Sequence, residues 1–261
     1  MALTAIILAA GRGSRLHPYT ESCPKCLTEL GDKTLLDRQI ATLRQCGISD
    51  IIIATGYLGD MLQRPDVECI NNPRWSETNM VESLFCAESR FNEDILVAYS
   101  DIVYQPRVLE ALLNSDKDIS VVVDRQWRAL WEKRFPDPLT DAETLRIDQR
   151  GDISEIGQPP ESFDQIDAQY IGLMRFKENG VTSLREAYAS IHRNEREWKK
   201  RRPAERAYMT DLLSEVILLG HRVRAVPVDS GWLELDTVAD YELYASMFET
   251  GEITEFYDPG D

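Results

Sequence analysis

"LAAGRGSRLHPYTESCPKCL", residues Leu8 to Leu27, packs two close glycines (Gly11 and Gly13), three basic side chains (Arg12, Arg15 and Lys25) and two prolines behind a short apolar run. That run, Thr4–Ala9, ends at Ala-Gly and reads as a buried strand feeding a loop. Glycines let a main chain approach a ligand closely, and successive backbone amides make a cradle for anions. Two familiar phosphate loops fit poorly. A Walker A loop closes on Gly-Lys-Ser/Thr, whereas Lys25 precedes Cys26. A dinucleotide fingerprint needs a third glycine three positions after Gly13, where Leu16 stands. What remains is a longer loop whose amides from Ala9 to Gly13 wrap a triphosphate, with a plain glycine-rich turn carrying surface cations as the alternative.

Working outward, strands and helices alternate. Leu35, Leu36, Ile40 and Leu43 recur at helical spacing, and Gly47 stands where a helix C-terminal glycine belongs. Ile51–Ala54 and Val67–Ile70 read as strands, Met80–Arg90 as a helix, Ile95–Tyr99 as a strand stopping at Ser100-Asp101, and Val108–Leu113 as a helix after Pro106. Ile119–Val123 is one more strand. Such alternation implies a mostly parallel central sheet with helices on both faces, an α/β fold. The alternation then breaks. Leu145–Asp148 and Ile153–Ile156 flank a turn and predict a hairpin; Ala168–Phe176 and Arg222–Val228 read as strands, with helices at Val181–Ile191, Ala207–Leu219 and Val238–Phe248. The chain reads as a single domain over 1–261: a nucleotide-binding half at 1–125, then an acceptor half at 126–261 with a small hairpin and helical lid.

The formal charge of −16 over 261 residues speaks against nucleic acid or an anionic membrane as partner. Any phosphate is therefore held by locally placed cations and a metal. The basic run in His192–Arg206 is interleaved with Glu195, Glu197 and Glu205 and reads as a solvated face. No basic leader precedes the first apolar run, and no run approaches a membrane span. Five cysteines, an odd number, suit a reduced cytoplasmic protein. Cys23 and Cys26 form a C-x-x-C with no second pair, so they read as packing thiols.

The whole opening string resembles the signature of the nucleotidyltransferases that activate sugar phosphates and phosphocholine, A-A-G-x-G-[ST]-R-[LM]-x-P-x-T-x-x-x-P-K-x-L. Gly11, Gly13, Ser14, Arg15, Leu16, Pro18, Thr20, Pro24, Lys25 and Leu27 all match. The resemblance implies a Rossmann-like fold and transfer of a nucleotidyl group from an NTP to a phosphate, releasing pyrophosphate. It implies Leu8, Ala9, Ala10, Gly11, Arg12, Gly13 and Ser14 as nucleotide-binding, and Arg15 and Lys25 as the catalytic cations.

Nucleotidyl transfer calls for a divalent ion, Mg²⁺, and so for carboxylates. "LVAYSDIVY" ends a buried strand on Ser100 and Asp101, where parallel-sheet enzymes place functional groups. Family members carry a metal aspartate there, with Ser100 on the nucleotide side. "GWLELDTVADY" resembles the family's closing segment and makes Asp236 the second ligand, with Glu234 two residues away on the same strand face. Asp236 is equally placed to cap the helix that follows. "NPRWSETNMVESLF" resembles the phosphocholine branch, which implies CTP as donor and makes Asn79 and Ser83 pyrimidine readers; by residue type alone Asn79 is a helix cap.

The acceptor, a small phosphorylated molecule, falls to Trp127, Trp131, Tyr208 and Asp211, placed where phosphocholine relatives build a cage for a cation from aromatics and an aspartate, with Glu234 beside them. Arg125, Arg128, Lys133 and Arg134 around them also admit acceptors with carboxylate or amide groups. A phosphate dianion is already nucleophilic, so His17, His192 and His221 receive no catalytic role. A sugar-1-phosphate enzyme using UTP or dTTP and a non-catalytic nucleotide-binding regulator are the rival readings, and a homodimer is left open.

Overall fold

The computed structural model describes residues 3–193 and 202–260. The first strand, β1 (Thr4–Ala9), is buried along its whole length and runs into the glycine loop. A two-residue hairpin, β2 (Glu29–Leu30) and β3 (Lys33–Thr34), leads to α1 (Leu35–Gln45). Thr34 caps α1 by accepting from the Asp37 amide at 3.1 Å. Gly47, at φ +83°, ends it with the bonds Gly47 N to Arg44 O and Ile48 N to Leu43 O. Then come β4 (Asp50–Thr55), β5 (Glu68–Asn71), α2 (Met80–Cys86), β6 (Asp94–Tyr99), β7 (Ile102–Tyr104), α3 (Pro106–Leu113) and β8 (Ile119–Asp124).

The second half adds α4 (Trp127–Arg134), the hairpin β9 (Leu145–Ile147) and β10 (Ile153–Ile156), β11 (Gln169–Lys177), α5 (Asn179–Arg193), α6 (Met209–Leu218), β12 (Arg224–Val228), β13 (Trp232–Glu234) and α7 (Val238–Thr250). The expected helix over Met80–Arg90 is shorter, ending at Cys86 before a 3₁₀ turn at Glu88–Arg90. Part of the basic run, residues 194–201, lies outside the described residues.

Seven strands form one sheet in the order β12-β8-β11-β6-β1-β4-β5. All run the same way except β11, which is antiparallel to both β6 and β8. Alternate residues of each strand feed two separate apolar layers. One contains Ile7, Ile53 and Leu96 with α1, α3 and α7; the other contains Ile6, Ile52 and Val97 with α2, α5 and α6. The two halves of the chain thus share one sheet.

Two features of the topology place the site. The chain leaves β1 for β4 on one side and later returns to β6 on the other. The carboxyl ends of β1 and β6 therefore flank a switch point, where open α/β sheets bind ligands. Beside it, β11 carries a bulge. Gln169 and Tyr170 pair with β8, but pairing with β6 begins only at Leu173. Gly172 lies in the bulge at φ +80°, with the Tyr99 ring 2.6 Å from where a Cβ would sit. The sheet consequently opens beside the end of β6.

Candidate active site

The glycine loop is built around Lys25. Gly13 has φ +66°, and the Lys25 side chain passes 2.8 Å from the position a Cβ would take. A side chain here would be strained and would displace the lysine. The Thr20 hydroxyl donates to Gly13 O at 2.9 Å and holds the loop on the following segment. Arg12 turns away, its guanidinium 5.5 Å from the centre of the Tyr57 ring.

Asp101 and Asp236 reach the same point by a ladder remote from the loop. The β7–β13 pairing sets Glu234 opposite Ile102, and Leu235 N donates to Asp101 O at 2.9 Å. Between these carboxylates sits Lys25, whose Nζ donates to Asp101 Oδ2 and to Asp236 Oδ1, both at 2.6 Å. Arg15 pairs with the other Asp236 oxygen at 2.6 Å while its own side chain stays largely exposed. Burial alone would lower the Lys25 pKa, but the two carboxylates outweigh it and raise it, so the cation persists.

Asp236 is not the helix cap. Thr237 fills that position, and its hydroxyl accepts from the Asp240 amide at 3.1 Å. Asp240 Oδ2 accepts from the backbone amides of Asp236 and Thr237, at 3.0 and 2.9 Å. The fully buried Arg134 guanidinium grips both oxygens of Asp240 and donates to Glu234 at 3.1 Å. Burial opposes the Asp240 charge, yet the Arg134 bonds hold its pKa below the usual carboxylate value. Burial pushes Glu234 up to about 7; Arg134 opposes this, while Asp101 and Asp236 add to it.

A cavity of about 280 Å³ opens over this centre. Its wall includes Leu8, Ala10, Gly11, Gly13 and Ser14 from the loop, then Arg15 and Lys25. Asn79, Ser83, Ser100, Asp101, Asp236 and Tyr208 complete the part anticipated from sequence. Asn79 is the cap of α2, accepting from the Met80 amide at 2.8 Å. The Ser83 hydroxyl donates to Asn79 O and accepts from Asn72 at 3.0 Å, so it stiffens the corner.

A second cavity, about 310 Å³, adjoins the first and shares Arg15, Met80, Tyr99, Tyr208 and Asp236 with it. Trp131 and Glu234 line it, but Trp127 and Asp211 do not. Trp127 is buried against Phe163, their ring centres 6.2 Å apart, on the core side of α4. Asp211 closes the first turn of α6, accepting from the Tyr208 amide at 2.8 Å, and pairs with Arg202. The expected four-residue cage is therefore not assembled. Asp141, Glu143, Gln169, Tyr170 and Thr210 stand in this wall instead, and sequence reasoning passed over all five.

Asp101 Oδ1 is buried without a hydrogen-bond partner, a hard oxygen donor left unused. With Asp236 alongside, the donor set suits a magnesium ion completed by substrate phosphates. Among the described residues there is no cluster of three or more His, Cys, Asp or Glu able to hold a metal unaided. The five cysteines are free, and burial pushes the Cys26 thiol up to about 12. Among the described residues no helix is long and apolar enough to cross a membrane.

A glycine loop, a switch-point cleft and a facing pair of aspartates are what a nucleotidyltransferase requires, and the chain belongs to the MobA-like NTP transferase domain family, matched over residues 5–159. It is 37% identical to the CTP:phosphoglutamine cytidylyltransferase of Campylobacter jejuni over 252 residues, 92% of this chain and 98% of that one. The choline-phosphate cytidylyltransferase of Streptococcus pneumoniae is 33% identical over 107 residues, 40% of this chain and 47% of that one. Among solved structures, the inositol-1-phosphate CTP transferase of T. maritima superimposes with a TM-score of 0.70 at 19% identity, covering 95% of this chain and 97% of that one. At that identity the likeness concerns the fold alone.

Proposed function

We propose that this enzyme transfers CMP from CTP to the phosphate of a small acceptor, foremost a phosphorylated amide of the phosphoglutamine kind, releasing pyrophosphate. The observation that carries the reading is Lys25 held between Asp101 and Asp236 at the mouth of the glycine loop. The near full-length match to a phosphoglutamine enzyme supports the acceptor, and the absence of Trp127 from the cavity wall weighs against a choline cage.

In this mechanism the amides of the loop and Arg15 receive the triphosphate. Asn79 and the α2 corner face the base. The acceptor phosphate enters from the adjoining cavity, and one of its oxygens attacks the α-phosphorus in line. The bond from the α-phosphorus to its β-bridging oxygen breaks, and pyrophosphate leaves with that electron pair. Lys25 and Arg15 neutralise charge that builds on the α-phosphoryl oxygens and the leaving group. Asp101 and Asp236 would hold Mg²⁺, which when bound polarises the α-phosphate. CTP as donor and five free cysteines support a cytoplasmic setting.

The test is ³¹P NMR of CTP, Mg²⁺ and phosphoglutamine with wild type and Lys25→Ala. The expected outcome is a CDP-linked product and pyrophosphate from wild type, slowed at least ~100-fold in a folded Lys25→Ala, as for loss of a preorganised cation. Consumption of UTP or dTTP with sugar phosphates in its place would overturn the reading.

A further inference from the structure

Among the described residues, Trp75 is a large aromatic side chain that the core does not use. Trp127, Trp131 and Trp232 are 5%, 4% and 1% exposed and belong to one apolar layer of the sheet. Trp75 and the Tyr57 ring beside it belong to neither layer. Trp75 stands partly buried on the loop between β5 and α2, in the wall of the cavity that the glycine loop lines.

Several contacts hold it there. Gly56 follows β4, and a Cβ on it would lie 2.6 Å from both Ala10 O and Trp75 Cβ. Only a residue without a side chain lets the tryptophan stem pack this close to the glycine loop. Tyr57 N donates to Ala10 O at 3.0 Å, and its ring meets the indole at 5.4 Å between centres, with the planes 63° apart. Arg12, absent from the cavity wall, approaches the same Tyr57 ring. Buried Asn72 fixes the backbone: its O accepts from Trp75 N at 3.3 Å, and its Oδ1 accepts from Arg74 N at 2.9 Å. Asn72 Nδ2 also donates to the hydroxyls of Thr78 and Ser83, both at 3.0 Å. Trp75 and the Asn79–Ser83 corner are therefore carried on one pinned turn.

Phosphates call for amides and cations, which the loop, Arg15 and Lys25 supply. A nucleobase calls for a flat apolar partner, because its π-face gains from stacking on an aromatic ring. Asn79 can match a base edge but covers no face. We propose that Trp75 is the stacking wall for the base of the bound nucleotide, and that Gly56 sets its depth. The proposal deepens the reading of the cleft as a cytidylyltransferase site and rests on it for the identity of the nucleotide. Stacking supplies affinity for any base, and discrimination among bases stays with the Asn79–Ser83 corner.

Two variants test the wall. Trp75→Leu keeps apolar bulk against Tyr57 and Gly56 but removes the aromatic face, and Trp75→Phe keeps a smaller face. Binding of CTP and of inorganic tripolyphosphate, each with magnesium and without acceptor, is measured by calorimetry for both variants and wild type. Trp75→Leu should bind CTP ~10-fold or more weakly, as for loss of one base–aromatic stack, with tripolyphosphate affinity unchanged. Trp75→Phe should show a lesser loss, again for CTP alone. In turnover assays the loss should appear in KM for CTP rather than in kcat, since stacking is the same in the ground and transition states. Unchanged CTP affinity in both variants, or a parallel loss for CTP and tripolyphosphate, would overturn the proposal. A wild type that prefers another NTP, with the same dependence on Trp75, would sink the cytidylyl reading and leave the stacking wall standing.

Discussion

Glu143 shows at the scale of one residue what a binding wall does to stability. Its carboxyl is pushed up to about 7, from an ordinary value near 4.5, chiefly by burial. The folded protein therefore holds the proton more tightly than the unfolded chain. Below the unfolded pKa this carries no penalty, and the favourable contribution is lost as pH rises through about 7. Each pKa unit is worth ~1.4 kcal/mol, so Glu143→Gln should unfold at higher urea above pH 7 by up to about 3 kcal/mol. The two proteins should converge towards pH 5. A variant less stable than wild type at pH 8 would mean that the carboxylate makes a favourable contact there. Neither Asp141 nor Glu143 was legible in the sequence, because both stand on an irregular segment with no periodicity to assign a face. Lys25 and Arg15 were legible, since a long local motif fixes the loop that carries them.

At the scale of elements, the corner from β13 into α7 is what brings Asp236 to Asp101. Asp124 braces its approach, accepting from the Ser230 amide at 3.0 Å and from the Trp232 indole at 2.8 Å. Arg134 and Asp240 brace its end, and both are buried in full. Removing one partner of a buried ion pair costs about 3–5 kcal/mol when the other charge is left alone, and here Arg134 keeps its bond to Glu234. Asp240→Asn should accordingly lose ~2 kcal/mol or more in urea unfolding, with the Asp236 amide left poorly matched. A loss below ~1 kcal/mol would show that the clamp does not hold the corner. The strand–helix alternation of the first half was readable because each strand is a short apolar run ending in a turn. Two things were not. The reversed direction of β11 leaves no mark in hydrophobic pattern, which reads alike both ways. And α4 mixes tryptophans with basic residues, so the burial of Arg134 depends on partners about a hundred positions away.

In the whole molecule, two halves of one sheet meet at a single centre. The first half supplies the glycine loop, Lys25 and Asp101; the second supplies Asp236 and the acceptor wall. If Asp101 and Asp236 act together as one metal-holding pair, their losses cannot add, since removing either already disables the pair. Asp101→Asn, Asp236→Asn and the double variant should each be measured for initial pyrophosphate release across a magnesium titration. Each single change should cost ~100-fold or more and shift the magnesium requirement upward, and the double variant should lie within ~10-fold of the worse single. Losses that multiply independently, with the magnesium requirement unmoved, would contradict the shared centre.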